Sequence, residues 1–276
     1  MKQVIGSMNY SFHWVISKIP VRGKDFSYSI GMLGLVMLCC GIVSCAAIAE
    51  QEMNDDSPEE EEITATPDNM KGNIAYLALG DSYTIGESVD PSERWPVLLG
   101  DKLTGAGYAV DTVQIIATTG WTTGELKSGI AAAEVADKYD LVSLLIGVNN
   151  QYRGEGRGFT LEGYKVEFEE LLQQAISFAG DNKERVFVVS IPDYGATPFG
   201  QSGNPEKIAE ELDAYNSSAK TICEQYGVVF FDITPISREA AEDPELVASD
   251  QLHPSGKMYK RWVDEVIVPD FILPLE

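Results

Sequence analysis

The chain has 276 residues, 44% of them apolar, enough for one large domain or two small ones with a substantial core. Acidic residues outnumber basic ones by 43 to 20, for a formal net charge of −23. Such a surface argues against nucleic acid as a partner, because gripping a phosphate backbone takes Lys and Arg.

The charge is unevenly placed. Residues 1–44 hold Lys2, Lys18, Arg22 and Lys24 against one acid, Asp25, and lead into the uncharged run IGMLGLVMLCCGIVSCAAIA at 30–49. A basic start before an apolar run reads as an export signal. Inside it, Ile42-Val43-Ser44-Cys45 resembles the bacterial lipoprotein box, which makes Cys45 the candidate lipidation site. The same run is long enough for an uncleaved transmembrane helix, since a span takes about 20 apolar residues. The basic residues before the run hold that end in the cytoplasm. Both readings assign 1–49 to a signal or membrane anchor and place the remainder of the chain in the cell envelope, tethered outside the inner membrane. Residues 50–73 are acidic, carry two prolines and few apolar side chains, and are expected to form a disordered linker.

From residue 74 onward, strand-like and helix-like segments alternate. Residues 74–79 (IAYLAL) form a short apolar run stopped by Gly80-Asp81, the pattern of a buried strand. Helical spacing comes next at 95–103, then a strand at 110–117, a helix at 122–138 and a continuous apolar strand at 141–146. A long amphipathic helix is expected at 161–179, with Tyr164, Phe168, Leu171, Leu172, Ala175 and Ile176 on one side. A fourth strand at 186–191 stops at Pro192; a helix at 205–226 ends on Gly227, a natural C-terminal cap. A fifth strand at 228–232 and a helix at 256–266 complete the set. Apolar strands alternating with helices imply parallel βαβ units with helices on both faces of one sheet, hence a single α/β domain from 74 to 276.

In such folds ligands bind at the carboxyl ends of strands. The first strand ends in GDSYT, which sets a hydroxyl, Ser82, directly behind a buried run. As a nucleophile Ser82 needs a base, and His253 is the only histidine beyond the N-terminal region. Asp250 stands three residues before it, at a spacing that lets a carboxylate fold back onto Nδ1. Oxyanion donors are available in the backbone N–H of Ser82, the N–H of Gly120 and the side-chain amide of Asn149, each placed after a strand. Trp121, Tyr194 and Phe199 are candidates for lining an acyl pocket, or for plain core packing. Cys39, Cys40 and Cys45 lie in the signal region, leaving Cys223 without a partner, a small buried apolar residue in expectation. No cysteine pair or histidine cluster suggests a metal, and no cofactor is expected.

Taken in order, GDSYT, ATTGWTT, IGVNN and DQLHP resemble the four sequence blocks of the SGNH hydrolases, also called the GDSL esterase/lipase family. The likeness spans about residues 74–268 and implies a flavodoxin-like three-layer α/β/α sandwich with a five-stranded parallel sheet. It implies Ser82 as nucleophile, His253 as general base, Asp250 as its orienting acid, and Ser82, Gly120 and Asn149 as the oxyanion hole. Asn150 stands where many members have Asp, and Tyr83 comes after the GDS tripeptide where the family name has Leu. The chain has no Gly-x-Ser-x-Gly, which disfavours the separate α/β-hydrolase fold. The activity implied is cleavage of a small-molecule or lipid ester, lysophospholipase-like or short-chain. A carbohydrate acetylesterase, a sugar O-acyltransferase and a non-catalytic binding lipoprotein are the alternatives.

Overall fold

A computed structural model describes residues 71–136 and 138–271. The anchor segment at 1–49, with Cys45, and all of the linker up to residue 70 lie outside them. Five strands, β1 (Asn73–Gly80), β2 (Ala109–Ala117), β3 (Leu141–Leu145), β4 (Val186–Val189) and β5 (Val229–Phe231), form one parallel sheet in the order β2-β1-β3-β4-β5. The three central strands read as near-continuous apolar runs because helices cover both their faces; every residue of β3 and β4 is buried, Ser143 included. The edge strands β2 and β5 are partly exposed, and their sequences are correspondingly mixed.

Among the described residues, nine α-helices of four residues or more surround the sheet: α1 (Ser82–Ile85), α2 (Trp95–Gly105), α3 (Thr123–Ala132), α4 (Val148–Arg153), α5 (Leu161–Phe178), α6 (Pro198–Gln201), α7 (Pro205–Tyr226), α8 (Thr234–Arg238) and α9 (Gly256–Arg261). On one side of the sheet α2 packs against α9; on the other α3 packs against α5 and α5 against α7, giving three layers. Trp95 on α2 and Phe187 on β4 meet edge to face with centroids 6.2 Å apart, inside the core. Cys223 on α7 is free and buried, and burial pushes its thiol up to about 12, so it serves as packing.

Two elements depart from the pattern expected of the sequence. The helix anticipated at 122–138 stops at Ala132, and Ala133 turns to extended backbone. Tyr139 explains the stop: it is buried, its hydroxyl donates to Gln114 on β2 and accepts from the Ala136 amide, and this pulls the chain out of the helix toward β3. The last helix changes after Arg261 into a π-helical turn, Trp262–Ile267. The five-residue repeat of such a turn sets Trp262 and Ile267 on one face, and both are fully buried.

Register positions the site. Gly80 pairs with Ala117 on one side and Leu145 on the other, so β1, β2 and β3 end in line. The segments after them emerge together, at the point where the strand order reverses, which is where open α/β sheets bind ligands. Gly80 cannot carry a side chain: a Cβ would lie 2.5 Å from the Leu145 carbonyl oxygen.

Candidate active site

β1 runs straight into α1, with Asp81 as N-cap accepting from the Tyr83 N–H at 3.0 Å. This sharp strand-to-helix turn leaves Ser82 at the carboxyl edge of the sheet, 4% exposed and facing a cavity of about 170 Å³. Asp81 itself is fully buried. Burial raises its carboxyl to about 7, against the backbone amides of Tyr83 and Gly147, which favour the charged form.

The loop after β2 is held by α4. Gly120 sits in the left-handed region at φ +88°, a conformation that L side chains resist. Arg153 Nη2 donates to the Gly120 carbonyl at 2.6 Å, and the same guanidinium pairs with Glu125 at 3.1 Å. Asn149 Nδ2 donates to the Trp121 carbonyl at 3.0 Å. An amide nitrogen carries two hydrogens, so this bond orients the Asn149 side chain and leaves one donor for the cavity that the residue lines. Asn150 is buried and grips Thr123 twice, accepting from its N–H at 3.1 Å and donating to its hydroxyl at 2.7 Å. Because the Thr123 N–H demands an acceptor, the amide orientation is fixed. Asn150 thus ties the third block to the second.

The fourth block is a turn. Asp250 Oδ1 accepts from the amides of Leu252 and His253, both at 2.9 Å, while Oδ2 lies 2.6 Å from His253 Nδ1. Burial alone would raise the Asp250 carboxyl; hydrogen bonds from Ser88, the His253 ring and those two amides hold it well below the usual carboxylate range instead. The His253 ring is buried and stands edge-on to Tyr83, centroids 5.6 Å apart. With Nδ1 on the carboxylate, Nε2 is the free nitrogen.

All four blocks reach one place. Ser82, Gly120, Asn149 and His253 line the same cavity, and Asp250 contacts His253 from behind. Tyr194 and Phe199 line it too, whereas Trp121 does not: its indole covers Gly129 on α3, where a Cβ would collide with it. Tyr152 takes that place, 57% exposed and packed edge-on against Tyr194 at 6.1 Å. It stands three residues after Asn149, a spacing that puts both on one helical face and would have revealed it. Nothing local in the sequence marks Ser88 or Arg153. Among the described residues no group of three or more potential ligands is placed to hold a metal ion.

Solved structures share this fold. The solved structure of TesA is similar with a TM-score of 0.54 at 18% identity, covering 73% of this chain and 99% of that one. The psychrotrophic esterase EstA from Pseudoalteromonas sp. gives 0.50 at 19% identity, covering 71% and 94%. Axe2, an acetylxylan esterase from Geobacillus stearothermophilus, gives 0.51 at 18%, covering 68% and 91%. At such identities these likenesses speak for the fold. No curated protein sequence matches the chain significantly. The sequence profile of the GDSL-like lipase/acylhydrolase family matches residues 78–261, more than half of the chain. The chain therefore belongs to that family, the SGNH hydrolases, and is a serine hydrolase of ester bonds.

Proposed function

We propose that Ser82, His253 and Asp250 hydrolyse short-chain carboxylic esters through an acyl-enzyme. The observation that carries this is the meeting of Ser82 and His253 in one small aromatic-rimmed cavity, with the His253 Nδ1 bound to Asp250. Asp250 fixes the tautomer that leaves Nε2 as base. As Ser82 Oγ attacks the ester carbonyl, Nε2 takes its proton. The N–H groups of Ser82 and Gly120 and the remaining Asn149 donor stabilise the tetrahedral oxyanion. Collapse breaks the bond to the alcohol, which leaves with the proton from His253. Water then attacks the acyl-enzyme by the same route, and Ser82 is regenerated. A panel of p-nitrophenyl esters tests the reading: activity should peak at short acyl chains and vanish in Ser82→Ala. Equal rates from acetate to palmitate would count against a short-chain enzyme and favour lysophospholipase-like substrates.

One observation favours a carbohydrate ester as the natural substrate. A second cavity, of about 540 Å³, adjoins the first at Tyr152 and mixes the rings of Tyr152 and Phe159 with Glu155, Lys207 and Glu211. Rings beside charged hydrogen-bonding groups suit a polyhydroxylated alcohol, with the acyl group in the smaller cavity. Release of acetate from acetylated sugars, compared with transfer to added sugar acceptors, separates an acetylesterase from an acyltransferase.

We further propose that the domain is tethered at a membrane in the cell envelope. The basic N-terminal start, the apolar run at 30–49 and Cys45 support this. Among the described residues no helix is long and apolar enough to cross a membrane. Mass analysis of the membrane-bound protein separates the two anchors: a chain beginning at a lipidated Cys45 marks a lipid anchor, and a chain retaining residues 30–44 marks an uncleaved helix.

A further inference from the structure

Ser88 is one of three non-glycine residues in the left-handed region among the described residues, at φ +66°. Serine has less local compensation there than Asp or Asn, so the conformation costs free energy that something else must offset. The Ser88 hydroxyl donates to Asp250 Oδ2 at 2.7 Å, across 162 residues of chain. That oxygen is the one that also meets His253 Nδ1. The other oxygen of Asp250 is held only by amides of its own turn, Leu252 and His253. Ser88 is thus the one donor to this side chain from outside the turn among the described residues. Its own place is set by the nucleophile, because the amides of Gly86 and Glu87 both donate to the Ser82 carbonyl, at 3.1 and 3.0 Å.

We propose that Ser88 is a positioning residue for ester hydrolysis: its hydroxyl registers the Asp250–His253 turn on the segment that carries Ser82. The turn is rigid within itself, but its distance from the nucleophile depends on contacts to the rest of the molecule. Besides the Ser88 bond these include the Phe199 amide on the Gln251 carbonyl and the Tyr83 ring against His253. Only the Ser88 bond acts on the carboxylate. The inference rests on the reading of Ser82 as nucleophile and His253 as base.

The test separates the hydroxyl from the backbone strain. Ser88→Ala removes the hydroxyl and keeps the strained φ; Ser88→Gly removes both. Each variant should lower kcat about tenfold with little change in KM, the size of one hydrogen bond to a charged group. Each should also move the acid limb of the kcat/KM profile to higher pH, by about half a unit to one unit. The sign comes from Asp250: a carboxylate with one donor fewer keeps more of its charge and holds the imidazolium proton more tightly. Asp81, buried behind Tyr83 with its carboxyl raised to about 7, titrates in wild type and both variants alike, so the displacement is read between profiles and not from one profile. Tyr83 and Tyr259 are buried and their hydroxyls are pushed well above 10, foremost by that burial. Glu87 and Arg94 face the same region through Tyr259 and are unchanged in both variants. Ser88→Gly should melt above Ser88→Ala while being no more active. A Ser88→Gly enzyme with wild-type kcat and an unmoved acid limb, when wild-type activity depends on Ser82, would overturn the inference. Full activity in Ser82→Ala would overturn the reading beneath it, and the inference with it.

Discussion

The two sides of the cavity are supported in different ways. On one side, the loop after β2 is clamped by α4 through Arg153, Asn149 and Asn150, all on a helix that starts where β3 ends. On the other, Asp250 and His253 ride on a turn that belongs to no sheet strand and closes mainly on its own amides. The proposed oxyanion donors are held by elements docked on the sheet and so are positioned before substrate arrives, which is what electrostatic stabilisation requires. The proposed base, His253, instead sits at the tail of the fold, and its register depends on a few long-range contacts. The difference predicts where the machinery is robust and where it is fragile.

The largest effect should come from the tail side. Asp250→Asn is expected to reduce kcat by about 10⁴-fold with little change in melting temperature, because the turn amides can still bond an amide oxygen while the imidazole loses its tautomer control. A parallel collapse of stability would show that the turn is a folding element instead. On the sheet side, Asp81 should report through stability. Its folded value of about 7 lies above the ordinary carboxylate range, so the fold prefers the proton, and this contribution fades as pH rises from about 4 to about 7. The stability of Asp81→Asn relative to wild type should therefore grow by about 2–3 kcal/mol between pH 5 and pH 8. A difference independent of pH, measured by chemical denaturation, would show that the buried carboxyl is already ionised.

Asn149→Ala should cost about 10²–10³-fold in kcat with KM nearly constant, as for loss of one oxyanion donor. Arg153→Met should be milder, about tenfold in kcat. The guanidinium touches no reacting atom and acts by holding the Gly120 carbonyl, so KM should again move little. An Arg153→Met enzyme raised in KM alone would place that residue in substrate binding and erase the contrast between the two sides.

Most of the scaffold was legible from the chain. The three central strands stand where apolar runs stop at Gly80, Gly147 and Pro192, since a strand covered on both faces has no polar side to interrupt the run. The helix over 205–226 matches its expected bounds because Asn204 caps its start and Gly227 takes the left-handed position at its end. Ser82, Gly120 and Asn149 were legible as candidates because each comes after a strand, His253 because no other histidine lies beyond the N-terminal region, and Asp250 by its spacing from His253. The rest is tertiary. The early end of α3 depends on Tyr139 finding Gln114, and the cavity wall takes Tyr152 in place of Trp121 because Gly129 opens a slot for the indole. Ser88 reads locally as an ordinary turn serine, and only the fold shows what its hydroxyl meets.

Covalent labelling tests the central claim most directly. Incubated with a fluorophosphonate probe and digested for mass spectrometry, the intact protein should carry one label per chain, on Ser82. Labelling should be absent in Ser82→Ala and slowed by orders of magnitude in His253→Ala. A label on another residue, or ester hydrolysis that survives in Ser82→Ala, would contradict the account.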